Sequence, residues 1–137
     1  MQPYEYFEHT ADVGLRARGA DLAEAFANAG RGLVALIVDP STVEPREERC
    51  VSLPPDEPGE QIVAWLNELL YLLDSEAFLP SAITVECVGR EGLVARLLGE
   101  QMDPARHLVK TGVKAATYHQ VRVECEGECL VQVILDL

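Results

Sequence analysis

With 137 residues, nearly half of them apolar, the chain can bury one sizeable core, yet no apolar run approaches the ~20 residues a membrane-spanning helix needs. Its formal net charge of -12 argues against an unaided grip on a phosphate backbone, because nucleic-acid affinity comes largely from Lys and Arg displacing counterions. The same charge suits a basic protein partner or a divalent cation, and it also keeps a small domain soluble. Behind Met1 there is no basic stretch or long apolar segment, so one domain over residues 1–137 and a cytoplasmic address are expected.

The first element is a short strand at Tyr4 to Glu8, followed by a turn through His9-Thr10-Ala11-Asp12-Val13-Gly14 and a second strand at Leu15 to Arg18. Asp21 with Glu24 three residues on has the spacing of a helix N-terminus, and Leu22, Ala25, Phe26, Ala29, Leu33 and Leu36 recur along one helical stripe. After Asp39-Pro40 a strand is expected near Cys50 to Leu53, then a Pro-rich loop. A second helix follows from about Glu60 to Ser75, where Ile62, Trp65, Leu66, Leu69, Leu70 and Leu73 make a face broad enough to be sandwiched.

From Ile83 the period changes to two, predicting a hairpin of Ile83 to Cys87 and Leu93 to Leu97 about Arg90-Glu91-Gly92. Residues 101–111 read as a loop. The last third predicts another hairpin about Gly127, in which the nearly continuous apolar run Leu130 to Leu135 has the character of a central strand covered on both faces. This order of elements gives an α+β two-layer sandwich, two helices packed on one mostly antiparallel sheet.

None of Cys50, Cys87, Cys125 and Cys129 forms a CxxC pair, which argues against structural zinc. Cys125 and Cys129 flank Glu126-Gly127-Glu128, a spacing that lets them face each other across a hairpin, and in a cytoplasmic protein they are expected as reduced thiols.

Chemistry is expected where the last strand ends. Asp136 and the α-carboxylate of Leu137 place two anionic groups on adjacent residues, a conflict that a hard divalent cation removes, and Asp12 is the best third acid. The alternative stays open at this level: Asp12 can cap its own turn and Asp136 can be solvated. His9, His107 and His119 match no compact metal motif, and there is no GxSxG elbow, HExxH helix or phosphate-cradling GxxxxGK[ST]. Lys110 and Lys114, ahead of Tyr118 and His119, could contact a phosphate or an acidic patch, or be solvated strand residues.

The block Tyr4-Glu5-Tyr6-Phe7-Glu8-His9-Thr10-Ala11-Asp12-Val13-Gly14 resembles the amino-terminal signature of the archease family. Three later blocks resemble it in family order: Trp65-Leu66-Asn67-Glu68-Leu69-Leu70-Tyr71, Val113-Lys114-Ala115-Ala116-Thr117-Tyr118-His119, and Val133-Ile134-Leu135-Asp136-Leu137. The resemblance implies a strand-helix-strand-strand module with an insertion. It also implies an accessory protein, not itself an enzyme, that promotes guanylylation and multiple turnover of an RtcB-type RNA ligase in tRNA splicing and RNA repair.

By position it implies a divalent metal held by Asp12, Asp136 and an oxygen of Leu137, with calcium the usual ion and magnesium or manganese as alternatives. Lys114 matches the family's basic position, and His9, Tyr118 and His119 become contacts to the partner or its active site. Ala116 departs from the pattern, which more usually has a larger aliphatic residue, and residues 42–59 and 90–97 carry little family signal. A reading from another class uses the same acids in a small metal-dependent hydrolase or nucleotide-handling enzyme, with Lys114 and His119 catalytic. A general chaperone or RNA-binding module is a third reading, disfavoured by the charge.

Overall fold

The computed structural model describes residues 2–9 and 12–137. Seven strands and two α-helices follow in the order β1 (Tyr4–His9), β2 (Asp12–Gly19), α1 (Leu22–Ile37), β3 (Glu47–Leu53), α2 (Pro58–Glu76), β4 (Phe78–Cys87), β5 (Leu93–Gln101), β6 (Ala115–Glu126) and β7 (Glu128–Asp136). The α+β class expected from the sequence holds, with two helices packed on antiparallel sheets. The strands divide into two sheets, β1-β2-β7-β6 and β3-β5-β4. Alternation alone cannot show this division, because it reports which side of a strand is buried and not which strand lies beside it.

The strand-helix-strand-strand module is β2, α1, β6 and β7, and the segment carrying β3, α2, β4 and β5 is inserted between its helix and its last two strands. Each helix touches both sheets. From α1, Arg31 Nη2 donates to Ile83 O on β4 at 2.8 Å, and on the other side Tyr6 Oη of β1 donates to Gly32 O at 2.8 Å. A Cβ on Gly32 would meet Leu15 Cδ1 at 2.8 Å and Tyr4 Cγ at 3.0 Å, so α1 packs closely on the first sheet there.

Position between two sheets explains why α1 buries far more than the single stripe expected, including Ala27, Asn28, Gly30, Val34 and Ile37. Its start is as the sequence predicts: Asp21 Oδ1 accepts from Glu24 N at 2.8 Å, and Glu24 Oε1 accepts from Ala20 N at 2.9 Å. Trp65 of α2 is fully buried, and its Nε1–H is satisfied by Phe26 O of α1 at 2.8 Å, which fixes the two helices against each other. One hydrophobic cluster takes in both helices and both sheets.

Strand β4 begins at Phe78, earlier than alternation suggests, and contains Pro80. It lies at the edge of its sheet with a register shift between Pro80 and Ala82, and an edge strand tolerates the missing donor. Cys125 and Cys129 are directly paired across the β6–β7 hairpin with Cα atoms 4.0 Å apart, and they form a disulfide. This corrects the expectation of reduced thiols, which rested on compartment; register puts the two sulfurs within bonding reach.

The loop after β5 hides a polar knot that spacing did not reveal. The Glu100 side chain, 4% exposed, ion-pairs with Arg106 and with Arg46 at 3.4 Å, and its Oε2 accepts from Glu44 N at 2.8 Å. His107 is buried beside it: Nδ1 accepts from Asp103 N at 2.9 Å, so Nε2 carries the proton and faces Glu100 Oε2 at 3.0 Å and Thr42 O at 3.1 Å. His107 is thus a hydrogen-bonded structural histidine.

Two predictions follow from this packing. The bond with Arg106 and the donation from Glu44 N hold the Glu100 carboxyl at about 2, below its ordinary 4.5. A depressed carboxylate stabilises the fold fully above the unfolded value and loses that contribution as pH falls through 4.5 toward 2. Denaturant unfolding across this window should show an acid-induced loss that Glu100→Gln flattens. Trp65→Ala should lower unfolding free energy by about 3–5 kcal/mol, measured the same way at neutral pH.

Candidate metal centre

Asp12 is not in a turn: it opens β2, while Asp136 closes β7 and the antiparallel register sets the two directly opposite each other. Directly paired residues project from the same face with Cβ atoms about 5 Å apart. Leu15 and Val133 are paired and buried toward the helices, so alternation places Asp12 and Asp136 on the other face of the sheet. Of the predicted turn, Thr10 and Ala11 lie outside the described residues. The main chain of His9 is in register with Asp12, and its side chain lies outside the described part of the structure.

The neighbouring rows explain the setting of this pair. Next along the ladder is Gly14 opposite Ile134, with Phe7 in register on β1. The Phe7 ring covers Gly14 so closely that a Cβ there would fall 2.1 Å from Phe7 Cζ. In the following row the Arg16 guanidinium lies 4.3 Å from the Phe7 centroid, while its Nε donates to Gln132 Oε1 at 2.8 Å and its Nη1 is 3.6 Å from Glu5 Oε1. Four residues of strand, about 13 Å, separate Arg16 from Asp12 along the backbone. Arg16 is therefore engaged by Gln132, Glu5 and Phe7.

Register sets two like-charged side chains on neighbouring strands, and like charges at short range repel. A divalent cation turns that repulsion into two attractions, and carboxylate oxygen is the donor that hard cations prefer. The donor set fits such an ion, with the oxygens of Leu137 next in the chain. Among the described residues there is no group of three or more His, Cys, Asp and Glu side chains able to hold a metal. The remaining positions would fall to main-chain oxygen, water or a partner.

Lys114 reaches the same corner: its N–H donates to Asp136 O at 2.8 Å, Ala115 is in register with Asp136, and the Lys114 side chain is exposed. Lys110 is tied by its N–H to Ile37 O at 2.7 Å, at the end of α1. Thr117 pairs with Ile134, after which β6 leaves register and rejoins β7 only at Arg122. Tyr118 and His119 lie in that interruption, both exposed, and Gln120 there has a φ of 53°. Desolvation raises the Tyr118 hydroxyl above its ordinary value, reinforced by the charge of Glu60 and a hydrogen bond with it, so Tyr118 is engaged by the first turn of α2.

Sequence reasoning quoted Asn67 but gave it no role. Its carboxamide bridges α2 to β6, Nδ2 donating to Ala116 O at 3.1 Å and Oδ1 accepting from Ala116 N at 2.8 Å. The available signal was a lone carboxamide between the apolar pairs Trp65-Leu66 and Leu69-Leu70.

Known proteins agree with this architecture. The sequence matches the Archease protein family (MTH1598/TM1083) over residues 4–137. It is 40% identical over 128 residues to the archease of Sulfurisphaera tokodaii, covering 93% of this chain and 92% of that protein. It is 37% identical over 142 residues to the archease of Thermococcus gammatolerans, covering 100% of each.

The solution structure of protein 1598 of Methanobacterium thermoautotrophicum superposes with a TM-score of 0.80 at 31% identity, covering 100% of both chains. The crystal structure of a Thermotoga maritima archease, a possible chaperone, shares the fold, with a TM-score of 0.66 at 22% identity over 96% of this chain and 94% of that one. On the extent of the match and the full-length relatives, this chain belongs to the archease family.

Proposed function

We propose that this protein is an accessory to an RtcB-type RNA ligase, promoting the ligase's guanylylation on histidine and its repeated turnover in tRNA splicing and RNA repair. The observation that carries the reading is the direct register pairing of Asp12 with Asp136, with the Lys114 main chain bonded to the same residue. In this reading the chain is one cytoplasmic domain with no substrate of its own, and its acids work only when docked on the ligase.

Asp12, Asp136 and the oxygens of Leu137 would hold one divalent ion, calcium by preference, with magnesium or manganese able to replace it. When bound, such an ion supplies positive charge and open positions for phosphate or nucleotide oxygens. The two aspartates would hold it at the end of the β2–β7 ladder. Lys114 would add a point charge suited to a phosphate, and His9, Tyr118 and His119 are the proposed contacts to the ligase. An overall charge of -12 favours docking on a basic protein surface over independent binding of RNA. Among the described residues no helix is long and apolar enough to cross a membrane.

Calorimetric titration with calcium, magnesium and manganese should give saturable binding, and at a hundredfold excess over Kd the ion should add about 2.7 kcal/mol to unfolding free energy. Asp12→Ala and Asp136→Ala should each weaken binding about tenfold or more, the equivalent of ~1.4 kcal/mol. Equal binding by both variants would remove the site.

With ligase limiting and RNA ends in excess, adding the protein should raise the product formed per ligase molecule above one. Lys114→Ala should reduce that gain while leaving cation affinity in place. Unchanged ligase turnover would overturn the accessory reading, and hydrolysis of nucleotide by this chain alone would favour a metal-dependent enzyme instead.

A further inference from the structure

The corner that carries Asp136 is built from two ladders of unequal strength. Asp12 and Asp136 belong to the β2–β7 ladder, which is continuous through Gly19 and Cys129. Ala115, Ala116 and Thr117 make the only register pairs of β6 before the interruption that ends at Arg122. No helix or strand precedes them between Gln101 and Ala115. This short segment also forms the free edge of its sheet, since β6 has a neighbour on one side alone.

Peptide groups of an antiparallel edge strand alternate between the neighbour and the open side. Ala116, 4% exposed, turns its N–H and C=O to the open side, where a buried peptide without partners is costly. The Asn67 carboxamide meets both groups, at 2.8 Å and 3.1 Å, with the donor and acceptor arrangement of a peptide. It sits on α2 among Trp65, Leu66, Leu69 and Leu70, all buried, so its own position is set by the core.

We propose that Asn67 is a positioning residue: it substitutes for a missing neighbouring strand, clamps residues 115–117 from the open side, and so holds the Lys114 main chain on Asp136. The clamp itself stands on the geometry; its consequence for activity rests on the ligase reading above. It separates two properties of one corner. The acid pair needs only β2 and β7, whereas the placement of Lys114 needs α2.

Hydrogen exchange of individual amides, with cation titration and multiple-turnover ligation, tests this on the full chain. In Asn67→Ala the amides of Lys114 and Ala116 should exchange about tenfold faster or more, while those of the β2–β7 ladder keep their protection. Cation affinity should stay within about twofold of the parent, because Asp12 and Asp136 keep their partner strands. Lys114→Ala should cost less ligase stimulation in the Asn67→Ala background than in the parent, since a displaced lysine has less to lose.

Asn67→Asp keeps the acceptor for Ala116 N–H but sets a carboxylate against Ala116 O, so it should loosen the same two amides; if Asn67→Ala does not fold, this variant decides. Unchanged protection at Lys114 overturns the proposal. Protection lost evenly over both sheets also overturns it, because Asn67 would then be a general stabiliser. Equal cost of Lys114→Ala in both backgrounds removes the link to activity. Local loosening in a protein whose parent fails to stimulate the ligase would sink the ligase reading and leave the clamp standing.

Discussion

The register of β2 on β7 is the constraint on which the rest depends. One ladder fixes two things at once: Leu15 and Ala17 with Val131 and Val133 are turned toward the helices, and Asp12 is set opposite Asp136 on the other face. A slip of one residue would turn Leu15 and Ala17 away from the helices and Asp12 toward them, so the core enforces the acid pair.

The helices do more than cover that sheet. Because α1 and α2 lie between two sheets, they exchange bonds with both sides: Arg31 reaches β4, Tyr6 reaches α1, and Asn67 reaches β6. Trp65 locks the pair together through Phe26 O. The inserted sheet packs on α2, and α2 carries Asn67 to the edge strand. The contact is one carboxamide, yet it lies at the point where β6 has its fewest register pairs.

Charge is distributed unevenly over this frame. Arg16, Arg18, Arg49, Arg96 and Arg122 each lie within ion-pair distance of a glutamate, and the buried Glu100 draws in Arg46 and Arg106. Most of the surface positive charge is thus spent inside the molecule. Lys114, exposed beside Asp136, is positive charge left at the corner where the acids meet.

Much of this was legible in the chain. Periodicity located both helices and both hairpins, the Asp21 cap appeared where its spacing predicted, and the run from Leu130 to Leu135 proved to be the buried interior strand it resembled. Family resemblance, not spacing, singled out Asp12 and Asp136 from 23 acids. The sequence by itself determined which residues alternate and which apolar faces must be buried, because these follow from local geometry and transfer free energy. Only the tertiary structure decided the partition into two sheets, the strand placement of Asp12, the Cys125–Cys129 bond, the burial of His107 on Glu100 and the reach of Asn67. Each of these depends on which distant segment lies alongside, and that is settled by packing of the whole chain.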